Sequence, residues 1–479
     1  MPGLGLKSYL QLARETIYGQ QPTYIGHPKV EIISENLTPQ IGSIRDPSLS
    51  NSPSRRALYE AGKLYSGSIV VRGAYEGVLE MLRGVFGDYT PTELSAAKSY
   101  DHVFKNHATP SSYSLEMVVG DIPTGTCFRL SGAKFRSVTL RMTAGQGNDA
   151  MLQAEFGVVA RDMQADQVLT TKCVSDRPSC AISTSTSLTH ASSFLTYGAR
   201  VGMIVSHATA IPVGTYITAI SADGLTCTLS RACTNGNPLT IGFGPGSPSL
   251  QPVLFHQAIQ YDDGSPAAGL GLWAIGVPGT IASGTDFTRS GGSNTTDGIV
   301  SGYMVTGAGL STVAPTFVNV VTNATLLTLT PAATNGVTTL TFLNPLRIRS
   351  IEVTLENPLD EGRFYLGSPN VDEPVRSDFL SCRWRITQEF QSLSAFDSAR
   401  LWPATVPSPN FQFQQPPLFF TTYHREFQIS SGSAQFVEWS APVESYGVII
   451  ATATLEAYLD SGTASTVVVR VRNGENSLP

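Results

Sequence analysis

Apolar and polar residues alternate along much of the chain, and the alternation predicts strands. Residues 134–142 set Phe135, Val138 and Leu140 against Arg136, Thr139 and Arg141. A slip of one residue at Ser137 predicts a β-bulge there. Residues 346–355 alternate most cleanly, with a break of phase at Ser350. Residues 68–72, 113–119, 151–159, 252–259, 382–386, 447–459 and 465–471 read as further strands, rich in β-branched and aromatic side chains. One stretch has the helical period instead. Tyr75, Val78, Leu79, Leu82, Val85 and Phe86 fall on one face of a helix over 75–86, and Gly87 suits its C-terminal cap. Ser394 opens a second, shorter helix candidate over 394–401. Residues 1–66 carry little periodicity and read as mostly irregular, with a short strand candidate at 29–33 and a polar run at 46–56.

From about residue 170 the texture changes. Ser, Thr, Gly and Ala dominate to about 248, and again over 267–342. The two stretches resemble each other at an offset of 100. Thr228 to Gly236 and Thr328 to Gly336 agree at six of nine positions, and Gly202 aligns with Gly302 and Val205 with Val305. The pattern predicts two copies of one small β module, over 194–243 and 298–342, each with an Asn-Gly turn before its last strand.

Composition narrows the class. The chain is 479 residues long, with 44 glycines, 30 prolines and only 14% charged residues. About 25% is usual for soluble proteins, so much of the surface is neutral and polar. Such surface can be covered by another subunit without stranding charges. The net charge of −6 gives no basic footprint for nucleic acid. The six cysteines form no C-x-x-C pair and predict free thiols, not a disulfide framework or a zinc site. No apolar run reaches the roughly 20 residues of a membrane span. The N-terminal stretch lacks the apolar core of a signal peptide, which predicts synthesis in the cytoplasm.

Candidate chemistry is sparse. The chain has no phosphate-binding loop, no His-Glu-x-x-His and no Gly-x-Ser-x-Gly. His102 and His107 near Asp101 read either as a metal or acid–base site or as a solvated loop around a strand; we favour the second. Asp262 and Asp263 with Asp360 and Glu361 read either as paired glycosidase carboxylates or as turn residues before glycine; turn chemistry explains them better. Arg347, Arg349, Arg383 and Arg385 alternate on strands and line one sheet face. That face either contacts DNA or is solvated and ion-paired, and we favour the latter.

Several segments resemble the tail tube (major tail) proteins of long-tailed, siphovirus-type bacteriophages. They are Pro22-Thr23 with Pro28, Glu31-Ile32-Ile33, Ile44-Arg45-Asp46-Pro47-Ser48, Gly67-Ser68-Ile69-Val70-Val71 and the helix ending at Gly87. The strand ending Glu356-Asn357-Pro358-Leu359 and the terminal strand at 467–473 belong to the same resemblance. It covers residues 1–165, 252–263 and 346–479; the Ser/Thr-rich modules depart from it. The fold implied is mainly β with a minor α component. It has two antiparallel β-sandwich or barrel tube lobes, each with a short packed helix, plus two small inserted β modules. The implied division is a first lobe at 1–180 with a strand at 250–265 returning to it, a decoration module at 181–249, a second at 266–344, and a second lobe at 345–479.

The resemblance also implies a structural role without catalysis, cofactor or metal. Three chains would form a pseudo-six-fold ring, a true hexamer being the alternative, and rings would stack into a channel for DNA ejection. An arm containing Arg45, Arg55, Arg56 and Tyr59 would order against the next ring. Further partners would be the tail terminator, tail tip and tape measure proteins, and passing DNA held without sequence specificity, in the tail of the virion, with no membrane. Competing readings are a baseplate or capsid decoration protein, and a glycan-binding or glycan-cleaving tail adhesin.

Overall fold

The computed structural model describes residues 8–24, 29–45, 58–95, 99–106, 110–119, 126–245, 252–260, 274–343, 348–389, 409–417, 424–443, 448–459 and 465–473, apart from 185, 222, 255–257, 283, 296–298, 300–302, 308–309, 311–315, 331–332 and 334–335. The architecture is mainly β, built from antiparallel sheets. Residues 1–66, expected to be mostly irregular, contain β1 (Tyr9–Arg14), β2 (Ile32–Glu35), β3 (Thr38–Arg45) and the start of β4 (Leu58–Arg72). The 29–33 candidate overlaps β2, whereas β3 and the start of β4 left no period to read, because the described positions 38–44 are all exposed and burial in β4 begins only at Leu64. The helix α1 spans Leu79–Phe86, later than expected. Gly77 holds φ at +85° just before it, a left-handed turn that the helical period cannot register. Gly87 ends it at φ +84°.

β5 (Gly87–Ser95), β6 (Ser99–Asn106), β7 (Tyr113–Val118), β8 (Thr126–Thr143), β9 (Gln153–Ala160) and β10 (Asp162–Val168) follow. The register of β8 on β9 shifts between Phe135 and Ser137, where the slip in the sequence predicts a bulge. α1 lies on β8 at close range: a Cβ added at Gly84 would fall 2.3 Å from the Phe135 ring.

Two small units come next. β11 (Val174–Thr184), β12 (Ser187–Thr189), the one-turn helix α2 (Phe194–Tyr197), β13 (Ile204–Ser206), β14 (Ile217–Ile220), β15 (Thr226–Leu229) and β16 (Gly236–Gly244) make a six-stranded sheet in the order β13-β16-β11-β12-β15-β14. Its two ends approach through the Ile204–Tyr216 bridge. After β17 (Ala258–Gln260), a closed barrel is built from β18 (Ala274–Ala282), β19 (Asp286–Arg289), β20 (Met304–Gly307), β21 (Thr316–Val321), β22 (Leu326–Thr330) and β23 (Gly336–Leu343). Its order, β20-β23-β18-β19-β22-β21, is that of the first unit strand for strand. Even a stray hydrogen bond recurs: Leu229 N–H donates to Thr186 O, and Leu329 N–H to Thr285 O. The common topology extends past 194–243 and 298–342, taking in β11–β12 and β18–β19. Those hairpins share little sequence, so the offset alone could not find them.

β24 (Ile348–Glu356), β25 (Ser381–Glu389), β26 (Asn410–Pro417), β27 (His424–Ser430), β28 (Ala434–Ser440), β29 (Ile450–Ala457) and β30 (Val468–Asn473) complete the chain. The register of β24 on β25 shifts between Ile348 and Ser350, at the break of phase. The helix candidate at 394–401 lies outside the described residues. The largest sheet runs β2-β4-β9-β8-β24-β25-β29-β28, and a second runs β17-β26-β27-β30-β6-β5. The ranges expected as separate lobes are thus hydrogen-bonded to each other twice, β8 to β24 and β6 to β30. They also share one apolar core, in which Trp384 stacks on Phe411 at 5.8 Å and Phe86 meets Phe104 at 6.5 Å. The Trp384 indole N–H donates to Ser431 Oγ at 3.0 Å, so its one polar atom is satisfied where it is buried.

All six cysteines are buried and unpaired. Burial pushes the thiols of Cys127 and Cys180 up to about 11, and those of Cys173, Cys227 and Cys382 up to about 12. Three outcomes are expected. At pH 8 alkylating reagents should leave every thiol unmodified in the native protein and modify all six after denaturation, as read by mass spectrometry. An acid whose folded pKa is raised stabilises below its unfolded value and loses that contribution as pH rises toward the folded one. Thermal stability should therefore fall between about pH 9 and pH 12. Trp384→Ala should lower the unfolding free energy by about 3–5 kcal/mol in a denaturant titration.

Candidate assembly surface

β3 and β4 form a long hairpin, paired from Thr38–Ser66 to Arg45–Leu58. Its base is fixed by Asn36, whose Oδ1 accepts from Ser68 N–H, and by Gln40, whose amide donates to Ser66 Oγ at 2.6 Å. β9 pairs with β4 only as far as Tyr65, so the Leu58-to-Leu64 half of β4 projects beyond the sheet. Part of it is exposed and apolar. Ile41 is 56% exposed, and the facing pair Ile44 and Tyr59 are each 57% exposed. Exposed apolar residues clustered on one element mark a surface that another molecule covers.

Of the arm residues, Arg45 ends β3 opposite Leu58, and Tyr59 stands beside it on β4. Arg55 and Arg56 lie outside the described residues. The hairpin thus brings Arg45 and Tyr59 together at the mouth of the 46–57 segment.

A loop between β24 and β25 braces the hairpin. Lys63 N–H donates to Pro369 O at 2.8 Å, and the Phe364 ring fills the space a Cβ at Gly62 would need. The loop is itself anchored by Lys134. This lysine is fully buried; its Nζ lies 2.8 Å from Glu373 Oε1 and donates to Pro374 O at 2.9 Å. Sequence reading placed Lys134 at the polar start of a strand, and nothing in its neighbours signals burial.

At the other side of the large sheet, 820 Å³ of open groove lies where β25 begins and β29 ends. Phe379 is 92% and Leu459 69% exposed along it, and Asp378, Glu456 and Tyr458 also line it; the Tyr458 hydroxyl donates to Gln435 Oε1. Sequence reading missed this groove, because its walls come from segments 80 residues apart.

The other candidates have structural roles. His102 is fully buried, its Nδ1 2.9 Å from Tyr89 Oη and its Nε2 3.0 Å from Asn473 Oδ1. Asp101 accepts two hydrogen bonds from Arg470 Nε, at 2.8 and 2.7 Å. His107, Asp262, Asp263 and Arg347 lie outside the described residues. Asp360 accepts from Gly362 N–H in its own turn, and Glu361 pairs with Arg136 at 3.0 Å. Arg349 pairs with Glu389 at 2.9 Å. Arg383 and Arg385 point outward, alternating with buried Cys382, Trp384 and Ile386. Their cross-strand neighbours on one side are Thr354 and Glu352, and on the other Glu456 and Thr454. Beyond Glu352 stands Arg141, itself 3.9 Å from Glu155. The face is a mosaic of both signs, not a basic stripe. Among the described residues no group of three or more His, Cys, Asp or Glu could hold a metal ion. No helix of the described residues is long and apolar enough to cross a membrane.

Lys134 and Glu373 yield a testable asymmetry. Removing the carboxylate leaves a buried cation with one carbonyl, whereas replacing the lysine by an apolar chain removes the desolvated charge. Glu373→Gln should therefore lower the melting temperature more than Lys134→Met, as measured by calorimetry.

In comparison with known proteins, a family model described as phage tail tube protein matches residues 5–246, just over half of the chain. The matched range runs through β11–β16, which the resemblance in the sequence leaves out. No curated protein matches the chain.

Proposed function

The chain belongs to the phage tail tube protein family, and we propose that it is a structural, non-enzymatic subunit whose rings stack into the channel for DNA ejection. The observation that carries this reading is the eight-strand path of the large sheet. Four of its strands, β2, β4, β9 and β8, precede the two small units, and four, β24, β25, β29 and β28, follow them. Among the described residues the path ends at β2 and at β28. Free edges are templates for pairing with another chain. A heterologous contact between unlike edges generates a ring when the rotation closes. With four strands from each part of the chain, three chains supply six wall segments, so a trimeric pseudo-hexamer is favoured over a hexamer.

The projecting hairpin gives the wall its axial contact. Its tip, from Arg45 through Arg55 and Arg56 to Tyr59, is the arm that reaches toward the next ring. The mixed-sign sheet face suits a wall that DNA slides past, because it has no unbalanced row of cations to release counterions from phosphates. The tail terminator, tail tip and tape measure proteins are the partners at the ends and in the lumen of such a tube, in the virion tail.

The two small β units are decoration modules outside the wall. Each is entered and left on paired strands, Val174 opposite Phe243 and Ala274 opposite Leu343. The chain can therefore be cut and rejoined at one point without spanning a gap.

Electron microscopy tests the reading. The purified protein, or the particles containing it, should show long tubes; a protein that stays monomeric and is absent from tail shafts would overturn it. Deleting 174–244 or 274–343 should leave tubes of unchanged inner diameter. Loss of polymerisation on either deletion would put that unit in the wall. Ile44→Asp should prevent tube growth while leaving the melting temperature of the monomer within about 2 °C, since Ile44 is exposed.

A further inference from the structure

We infer that the cleft between β1 and the first small β unit binds an acidic sugar, a hexuronate either free or within a polysaccharide. The inference does not rest on the tube reading, because every group it uses belongs to one chain.

The cleft has a volume of 730 Å³. Tyr9 and Gln11 of β1 line one wall with Lys29 beside them, and Ser206, His207 and Gly242 of the first unit line the other. The chain entering that unit is pinned to the first wall by Glu116, the cross-strand partner of Gln11. The buried Glu116 carboxylate accepts from Thr170 N–H at 2.9 Å and from Thr170 Oγ1 at 2.8 Å. It also accepts from Arg129 Nη2 at 2.8 Å and Gln21 Nε2 at 2.9 Å. A cleft tied together in this way is preformed, which lowers the ordering cost of binding.

Two groups in the cleft lack what their burial calls for. Gln11 is fully buried, yet neither its Oε1 nor its Nε2 has a hydrogen-bond partner. Glu116 beside it is already engaged by the donors above. An amide left unpaired out of water is destabilising and needs a reason. Lys29 is the second group. It is half-buried, and its Nζ stands 4.2 Å over the Tyr9 ring. Among the described residues no carboxylate pairs with it, and burial lowers its pKa. The other lysine of the cleft, Lys172, is paired with Asp176 at 2.6 Å. The cleft therefore holds one uncommitted cation. Across from it, His207 Nδ1 accepts from Thr209 N–H at 3.3 Å and Ala210 N–H at 3.1 Å, which places the ring proton on Nε2 as a donor.

The complement of this set is one negative charge with hydroxyls close by. Tyr9 and Gln11 share a face of β1, roughly 7 Å apart along the strand, with Lys29 above Tyr9. A hexuronate spans that interval. Its carboxylate meets Lys29, while its ring hydroxyls donate to Gln11 Oε1 and accept from Gln11 Nε2. A simple carboxylate would neutralise Lys29 and leave Gln11 unpaired; a neutral sugar would do the reverse.

The second small unit is an internal comparison. Val205 pairs with Phe243 and Val305 with Phe342, so the place of His207 is taken there by Gly307. The same strand order forms without the imidazole, so the unit's topology does not require it.

Ligand-observed NMR titration of the full-length protein tests this, with D-glucuronate and D-galacturonate as probes. Saturable binding of at least one of them is expected, with Kd on the order of 1 mM. D-glucose and acetate should each bind at least tenfold more weakly. Gln11→Leu and Lys29→Met should each weaken binding of the acidic sugar at least tenfold. The melting temperature of the free protein should not fall in Gln11→Leu, because the substitution removes an unpaired amide. If either variant fails to fold, the other decides, together with His207→Gly, which copies the second unit and should also weaken binding. A tetramer of galacturonate that binds at least tenfold tighter than the monomer identifies a polysaccharide as the source; equal affinity identifies the free acid. No binding of either hexuronate would overturn the proposal. So would acetate binding as tightly as the hexuronate, or hexuronate binding that the substitutions leave unchanged. Tube formation is read separately by microscopy, so a failure here leaves the tube reading standing.

Discussion

The antiparallel pairing of β8 with β24 is the contact on which the rest of the molecule depends. It joins residues more than 200 positions apart, from Ser137 opposite Glu356 to Thr143 opposite Ser350. On one side lie β9, β4 and β2; on the other lie β25, β29 and β28. Without this seam there are two half-sheets with raw edges in the middle of one core. With it, a single apolar layer spans Phe135, Phe156, Val353 and Trp384. The second sheet repeats the bond through β6 and β30, so neither part of the chain can bury its apolar face alone.

That arrangement moves free valence to the periphery. Interior strands exchange backbone hydrogen bonds on both sides, so only the outer strands can accept another chain. The hairpin lies at one of those edges, with β3 and β2 both paired to the same side of β4. The loop held by Lys134 and Glu373 ties the hairpin at Lys63 to the connection between β24 and β25. A buried lysine is a costly anchor, and its worth lies in tying down a loop whose own apolar residues, Tyr365 and Leu366, face outward.

The two small β units obey a different economy of structure. Each closes its own core, one around Phe194, Cys227 and Phe243, the other around Phe287, Leu327 and Phe342. A unit that satisfies its own backbone and buries its own apolar side chains makes few demands on what surrounds it. That physical independence explains how one chain carries two of them with the same strand order.

Sequence by itself determined the local facts. Alternation located the strands with one buried face, such as β8, β24 and β25, and even the bulges near Ser137 and Ser350, because those positions break the period that burial enforces. Helical spacing located α1, though not the left-handed turn at Gly77 that delays its start. The offset of 100 exposed the repeated unit only where loops and last strands kept their residues. Tertiary structure alone decided the rest. Strand partners are chosen by distant segments, so nothing near residue 140 says that residue 353 lies opposite it. Hairpin residues such as Ile41 and Ile44 carry no inward face and leave no period to read. Lys134 looks like any polar residue at the head of a strand until a loop from residues 357–380 folds over it. Local periodicity records which side of a strand is dry; only the folded sheet records what makes it dry.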